Sequence, residues 1–310
     1  MKKLSFSQIA SIVIVVAAVA LWLQTGPILP AIQILYKNPD LELKSLSVVP
    51  VVNASNEEIE ILLNSLSSQN IYVMDVESGS SLLTNNPDQT VYPASTVKMI
   101  TALVATDQFN QDDVFEVKRE AFTNGNTVGL TMGESFMVKD LLQALLIASG
   151  NDSAFVLADN HPLGYEGFVM AMNSQAQELH LQKSSFMNPS GLDADDQYVS
   201  AHDLSILARE LIKNPFLKKT VSIKKTEISD IMGESSYILE NTNQMLGQEG
   251  VQGMKTGTTP LAKEALVTLL ERDRHQIIIS VLKSEHRYVD TMTIVDWIDQ
   301  NVAYNELAAK

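Results

Sequence analysis

Cysteine is absent from the 310-residue chain, which removes disulfides, thiolate metal sites and cysteine nucleophiles together. The absence fits an exported chain that avoids oxidation. Positive charge is scarce too: 22 Lys and Arg stand against 37 Asp and Glu, a formal net charge of -15. Nucleic acid and anionic membrane surfaces need clustered cations, so neither is expected as the main partner. Histidines are few, and His161, His180, His202, His275 and His286 show no metal-ligand spacing and no H-E-x-x-H. No metal or other cofactor is expected, and a zinc peptidase is excluded. Internal repeats and low-complexity tracts are missing as well. What is present, 45% hydrophobic residues, is ordinary for a packed core.

The N-terminus carries Lys2 and Lys3, then an uncharged run from Ile9 to Leu23, IASIVIVVAAVALWL. Two lysines before such a run mark a secretory signal or a signal anchor, its length lying between a signal core and the roughly 20 residues of a full span. No charge follows until Lys37. Residues 1–36 are expected to be an uncleaved single-pass membrane anchor with the remainder outside the cytoplasm, secretion after cleavage being the alternative. Residues 37–56, rich in Pro and Asn, read as a linker.

A core domain is expected over 57–304, with 305–310 as a tail. EEIEILLNSL (57–66) spaces its apolar residues as a helix face, and IYVMDV, a turn at Glu77-Ser78-Gly79, and SSLLT read as two strands. Helical patterns fill the middle: VKDLLQALLIA from Val138, Asp152 to Asp159, a segment from Tyr165, and LSILARELIK behind a cap at Ser200 to Asp203. After Thr220 the pattern turns to short β-like segments, TVSIKKTEIS, SYILEN, and a hairpin of EALVTLLE with HQIIISVLK. TMTIVDWIDQNV closes as an amphipathic helix. The expected fold class is α+β, a mainly antiparallel sheet flanked by helices, with an all-helical subregion.

S-x-x-K occurs at Ser95 to Lys98, Ser222 to Lys225 and Ser280 to Lys283. Residues i and i+3 share a face on a helix but oppose each other on a strand. The latter two pairs lie in β-like sequence and cannot meet easily. Ser95 instead follows Pro93 and opens TVKMITALVAT, where Lys98 stands one turn on. The serine there is either a nucleophile beside its base or a helix cap. A catalytic reading demands that the pKa of Lys98 be lowered, by burial or a second cation, and that polar groups carry the proton onward. Ser149-Gly150-Asn151 at the end of an apolar helix and Lys255-Thr256-Gly257 beside a strand meet that demand; a further S-x-N, Ser68 to Asn70, precedes a strand and reads as accidental.

S-x-x-K, S-x-N and K-T-G in this order resemble the penicillin-recognising serine enzymes, the superfamily of penicillin-binding proteins and serine β-lactamases. DVESGSSLLTNNPD, VGLTMGESFMVKDLLQALLIASGND, FMNPSGLD and SAHDLSILAREL narrow the resemblance to serine D-Ala-D-Ala carboxypeptidases of the low-molecular-weight penicillin-binding type, over about residues 68 to 300. The resemblance implies a β-lactamase/transpeptidase-like fold, peptidoglycan stem peptides as substrate, and β-lactams as covalent inhibitors. It implies Ser95 as nucleophile, Lys98 as base and Ser149 as proton relay. Asn151 then holds Lys98 and the substrate amide, Lys255 lowers the pKa of Lys98, and Thr256 with Arg287 takes the terminal carboxylate. The oxyanion hole is expected at the backbone N–H groups of Ser95 and Thr258, and Gly257 is expected to leave room for a substrate backbone.

Lys263 stands where the family has glycine, so a rearranged loop beside the oxyanion hole is expected if that position needs a positive φ. A β-lactamase with a Glu-bearing Ω-loop is a rival, but NPSGLD (188–193) lies where E-x-x-N is wanted, and Glu166 falls in helical sequence. A D,D-endopeptidase would use the same groups, and a catalytically silent wall-binding module would have no chemical reason to keep them.

Overall fold

The computed structural model describes residues 48–119 and 125–306. A compact unit runs from Pro50 to Asn305. The expected anchor lies outside the described residues, and among those described no helix is long and apolar enough to cross a membrane. Part of the expected linker is ordered: the β-branched run VVPVV forms β1 (Val48–Val52), which pairs with β11 (Val302–Glu306).

The first helix, α1 (Asn56–Ser65), opens with a capping box in which Ser55 and Glu58 satisfy each other's backbone N–H groups. The central sheet runs β3-β2-β10-β9-β8, with β2 (Asn70–Asp75), β3 (Ser81–Asn85), β8 (Val251–Thr259), β9 (Lys263–Arg272) and β10 (His275–Ser284) all antiparallel. Asp273 and Arg274, at φ of 49° and 69°, form the two-residue turn between β9 and β10, the geometry that matches strand twist.

These strands are apolar on both faces because both faces are covered. Ile71, Val73, Leu266 and Ile279 pack with Ile294 and Trp297 of α8 (Arg287–Asn301). Tyr72, Met74, Val267 and Ile278 pack into the helical core on the other side. At the centre of that core is α2 (Lys98–Gln108), buried from Lys98 to Ala105, as expected of a helix apolar all round. Around it lie α3 (Val138–Leu146), α4 (Asn151–Asp159), α5 (Gly164–Glu178) and α6 (Ala201–Leu211). The fold is thus α+β, an antiparallel sheet with helices on both faces and a helical subregion.

One segment differs from expectation. TVSIKKTEIS is not a strand throughout: α7 (Pro215–Val221) occupies its start, and β6 (Lys225–Ser229) begins only after Ser222, to pair with β7 (Ser236–Glu240). Asn214 caps α7 by accepting from the N–H groups of Phe216 and Leu217, and Pro215 sits at its first turn, a start signal stronger than the short alternation that follows. A second hairpin, β4 (Val114–Glu116) with β5 (Ser135–Met137), precedes α3.

Lys263 itself adopts φ +55°, so the β8–β9 connection does hold a left-handed residue at this position. A side chain there costs about 1 kcal/mol relative to glycine. The lysine ammonium is paired with Glu285 on the surface.

Candidate active site

The three S-x-x-K pairs separate cleanly. Ser222 Oγ donates to the Lys219 carbonyl (2.8 Å) and Lys225 pairs with Glu240. Ser280 is buried against the Ser205 hydroxyl at 2.7 Å, and Lys283 is exposed beyond a bulge. Only Ser95 and Lys98 meet.

Ser95 lies in a 3₁₀ turn, Ala94–Val97, that runs straight into α2. No side chain caps either helix start, so the hydroxyl is not used as a cap. Instead Ser95 Oγ accepts from Lys98 Nζ at 3.0 Å. The same nitrogen donates to Asn151 Oδ1 (2.7 Å) and to the Ser190 carbonyl (2.6 Å). Lys98 is completely buried. Burial first, then the nearby charge of Lys255, hold its pKa well below that of a free lysine, and the Asp152 carboxylate opposes them only in part, because a cation stripped of water is the disfavoured form.

Ser149 follows α3 with φ +60° and is buried; Asn151, two residues on, opens α4. The turn therefore aims both side chains at one point from a helix end and a helix start. On β8, Lys255 is also buried, and its Nζ donates to Ser149 Oγ (2.8 Å) and the Thr256 carbonyl (3.0 Å). Burial, followed by repulsion from Arg287, lowers its pKa to about 7. Two hydroxyl–amine pairs, Ser95 with Lys98 and Ser149 with Lys255, thus face one cleft.

Thr256 Oγ1 lies 2.6 Å from Thr242 Oγ1. Arg287, at the first turn of α8, donates from Nη1 to the Gly257 carbonyl (2.9 Å) and Thr258 Oγ1 (2.7 Å), while its buried Nε has no hydrogen-bond partner. These groups line a cleft of about 370 Å³ together with Ser95, Ser149 and Asn151. Among the described residues, no carboxylate lines it. Glu166 sits on α5, and Ser190, Gly191 and Leu192 line the cleft from the NPSGLD segment, whose Asp193 carboxylate is turned to Thr259.

Gly257 serves the protein's own backbone as much as any ligand. A Cβ there would lie 2.9 Å from both Ala94 Cβ and the Ser95 nitrogen. That close approach brings the end of β8 against the backbone of Ser95. Gly191 is tighter still: at φ +87°, an added Cβ would be 1.9 Å from the Ala94 carbonyl oxygen. Gly191→Ala is therefore expected to destabilise the fold by about 2 kcal/mol or more and to displace the nucleophile turn. Paired denaturant melts and acylation rates check this, and a variant with wild-type values of both rejects it.

Several groups at the site carried no signal in the sequence. The Ser190 carbonyl is a main-chain acceptor. Asp152 accepts from the N–H groups of Val128, Gly129 and Leu130 (2.9, 2.7 and 3.1 Å) and so fixes a loop at the cleft. Asp193 reaches across to the β8–β9 turn, accepting from Thr259 Oγ1 at 2.6 Å. Thr242 belongs to a loop whose position depends on Tyr288, which donates to its carbonyl at 3.0 Å. Metal-ligating clusters are not found among the described residues.

A family model described as D-alanyl-D-alanine carboxypeptidase matches residues 54–286. The chain belongs to that family. It is 31% identical over 216 residues to the D-alanyl-D-alanine carboxypeptidase DacF of Bacillus subtilis, covering 67% of this chain and 55% of that protein. It is 29% identical over 262 residues to DacA of Haemophilus influenzae, covering 79% and 65%. With DacB2 of Mycobacterium tuberculosis it shares 31% identity over 224 residues, covering 69% and 74%. The chain thus spans little more than half of the Bacillus relative. Among solved structures, the Streptomyces K15 DD-transpeptidase superposes with a TM-score of 0.70 at 27% identity, covering 75% of this chain and 97% of that one. The family fold is the penicillin-recognising serine enzyme fold.

Proposed function

We propose that the protein is a serine D-Ala-D-Ala carboxypeptidase that removes the terminal D-alanine from peptidoglycan stem peptides. The observation that carries the reading is the buried Lys98 amine placed 3.0 Å from Ser95 Oγ, with a second buried lysine behind Ser149.

In the neutral state Lys98 keeps two N–H bonds, to Asn151 Oδ1 and the Ser190 carbonyl, and turns its lone pair to the Ser95 hydroxyl. Ser95 Oγ attacks the carbonyl carbon of the penultimate D-alanine while Lys98 takes its proton. The oxyanion that forms is held by the N–H groups of Ser95 and Thr258. As the C–N bond breaks, a proton passes through the Ser149 hydroxyl to the leaving amine of the terminal D-alanine. The ester on Ser95 is then hydrolysed by water. Thr256 and Arg287, with the positive potential of Lys255, receive the substrate carboxylate, a charge-assisted contact. A β-lactam presents the same carbonyl and carboxylate and acylates Ser95, and its leaving nitrogen stays tethered.

The run from Ile9 to Leu23 behind Lys2 and Lys3 supports a membrane-anchored protein with the catalytic unit outside the cytoplasm. Protease treatment of intact cells tests this: digestion of the domain only after lysis rejects it.

The reaction is tested by incubating wild type and Ser95→Ala with a labelled penicillin and with a D-Ala-D-Ala peptide. Wild type takes a covalent label and releases D-alanine; the variant does neither. Because the leaving nitrogen of a β-lactam stays tethered in the cleft while the terminal D-alanine departs, the penicillin adduct is expected to outlast the peptide acyl-enzyme by orders of magnitude. A wild-type protein that neither labels nor releases D-alanine is not this enzyme, and one that labels but cuts only crosslinked dimers is an endopeptidase.

A further inference from the structure

The chain carries a formal charge of -15, yet one stretch reverses the sign. From Leu211 to Thr226 the sequence LIKNPFLKKTVSIKKT has five lysines and no acidic residue. The two at its ends are occupied, Lys213 by Glu210 and Lys225 by Glu240. The middle three, Lys218, Lys219 and Lys224, form no ion pair among the described residues, and Lys218 makes one neutral contact, to Gln276 Oε1 at 3.2 Å. They gather on one groove of about 500 Å³, whose lining also includes the buried Leu246, Val251 and Leu269.

The groove lies on the catalytic strand. β8 is the free edge of the sheet; its first residue, Val251, lines the groove, and its last residues, Thr256 to Thr259, line the cleft. At about 3.3 Å per residue the two sites are roughly 15 to 25 Å apart along one strand. A polymer acted on at the cleft is long enough to lie in both. A protein this acidic repels a polyanion at long range, but that repulsion is screened beyond about 8 Å at physiological ionic strength. Contact is then governed by the local charge, and the groove's lining holds three lysines and no acidic residue.

We propose that this groove is an exosite for oxyanion groups, carboxylate or phosphate, carried by the cell-wall polymer outside the peptide being cleaved. The proposal rests on the carboxypeptidase reading for its substrate. The exosite holds the polymer and so raises the local concentration of scissile ends at the cleft. It takes no part in chemistry, so it governs capture of wall and leaves turnover of small peptides untouched.

The test uses the full chain and the double variant Lys219→Glu/Lys224→Glu. Both side chains are exposed and hydrogen-bonded to nothing among the described residues, so the fold tolerates the change. Release of D-alanine from a short soluble peptide stays within about twofold of wild type. Binding to purified walls in a pelleting assay falls about tenfold or more at low salt, and the difference vanishes at high salt. Lys219→Arg/Lys224→Arg keeps wall binding. Walls extracted to remove phosphodiester polymers separate the sources: undiminished binding by wild type assigns the oxyanion to stem-peptide carboxylates, and weakened binding assigns it to phosphate. Equal wall binding by the Glu variant and wild type at low salt overturns the exosite. Failure of wild type to release D-alanine from the short peptide overturns the carboxypeptidase reading instead, and the two failures are distinguishable.

Discussion

Lys98→Met is expected to slow acylation of Ser95 by about a thousandfold or more, with penicillin as with peptide. Methionine nearly conserves the volume of the buried side chain, so the core around α2 stays filled. What is lost is the one amine, among the described residues, that is hydrogen-bonded to Ser95 Oγ: Lys98 Nζ is 3.0 Å away, and Lys255 Nζ is spent on Ser149 and the Thr256 carbonyl. The Ser190 carbonyl and Asn151 Oδ1 lose a donor, which costs about 1–3 kcal/mol where no water replaces it. Removing a buried cation works in the opposite direction, so the melting temperature moves far less than the rate. The pH profile is the sharper readout. In wild type the acylation rate rises through the depressed pKa of Lys98 and falls again as Lys255 loses its charge. In the variant, nothing beside the serine titrates there, and the residual rate climbs with hydroxide through the same range. Single-turnover labelling from pH 4 to 9 measures both, and a variant keeping the wild-type inflection removes Lys98 from the role of base.

The groups that act through side-chain chemistry were legible in the sequence because chemistry restricts them to few residue types. Helical phase put Lys98 over Ser95, and the need to discharge a buried lysine pointed to Lys255 and Ser149. The structure places these four as neighbours. Groups that act through backbone shape or main-chain atoms were not legible. Any residue can offer the carbonyl of Ser190, and Gly191 is a necessity only once the Ala94 carbonyl is known to press on it. The expectation for Gly257 concerned room for substrate, whereas its nearest constraint is the Ser95 backbone.

For the fold, hairpins declared by their turns, β9 with β10 above all, could be read locally. The order β3-β2-β10-β9-β8 could not, since it joins strands some 200 residues apart through side-chain burial on both faces. The alternation in TVSIKK misread a helix end as a strand because α7 is only seven residues long, too short for its own periodicity to outweigh two alternating turns of sequence. Ser222 fails as a partner of Lys225 nonetheless, its hydroxyl being turned back to the Lys219 carbonyl.

Lys255→Met is expected to lower kcat/KM on the order of a hundredfold and to change both limbs of its pH profile. On the proposed mechanism, activity in the free enzyme requires Lys98 neutral and Lys255 charged. The pKa of Lys255, about 7, makes kcat/KM decline as pH rises past neutrality, because an uncharged amine withdraws the positive potential that helps Thr256 and Arg287 hold the substrate carboxylate. Without Lys255 that decline disappears. The acid limb moves upward at the same time, since repulsion by Lys255 is one cause of the lowered pKa of Lys98. The two lysines are coupled, so both limbs belong to the pair.

The same substitution predicts a stability change whose sign follows from linkage. The folded pKa of Lys255, about 7, lies below the roughly 10.4 of an unfolded lysine. Between those values the unfolded chain binds more protons, so stability rises with pH across that window; below it the full penalty of a buried ammonium is present. Relative to Lys255→Met, wild type is therefore least stable at pH 6 and recovers as pH approaches 10. Melting both proteins at each pH and taking the difference cancels the titrations they share. A difference that is flat from pH 6 to 10, or that grows with pH to the disadvantage of wild type, would show that Lys255 keeps an ordinary lysine pKa, and the assignment of the alkaline limb to it would fall with that result.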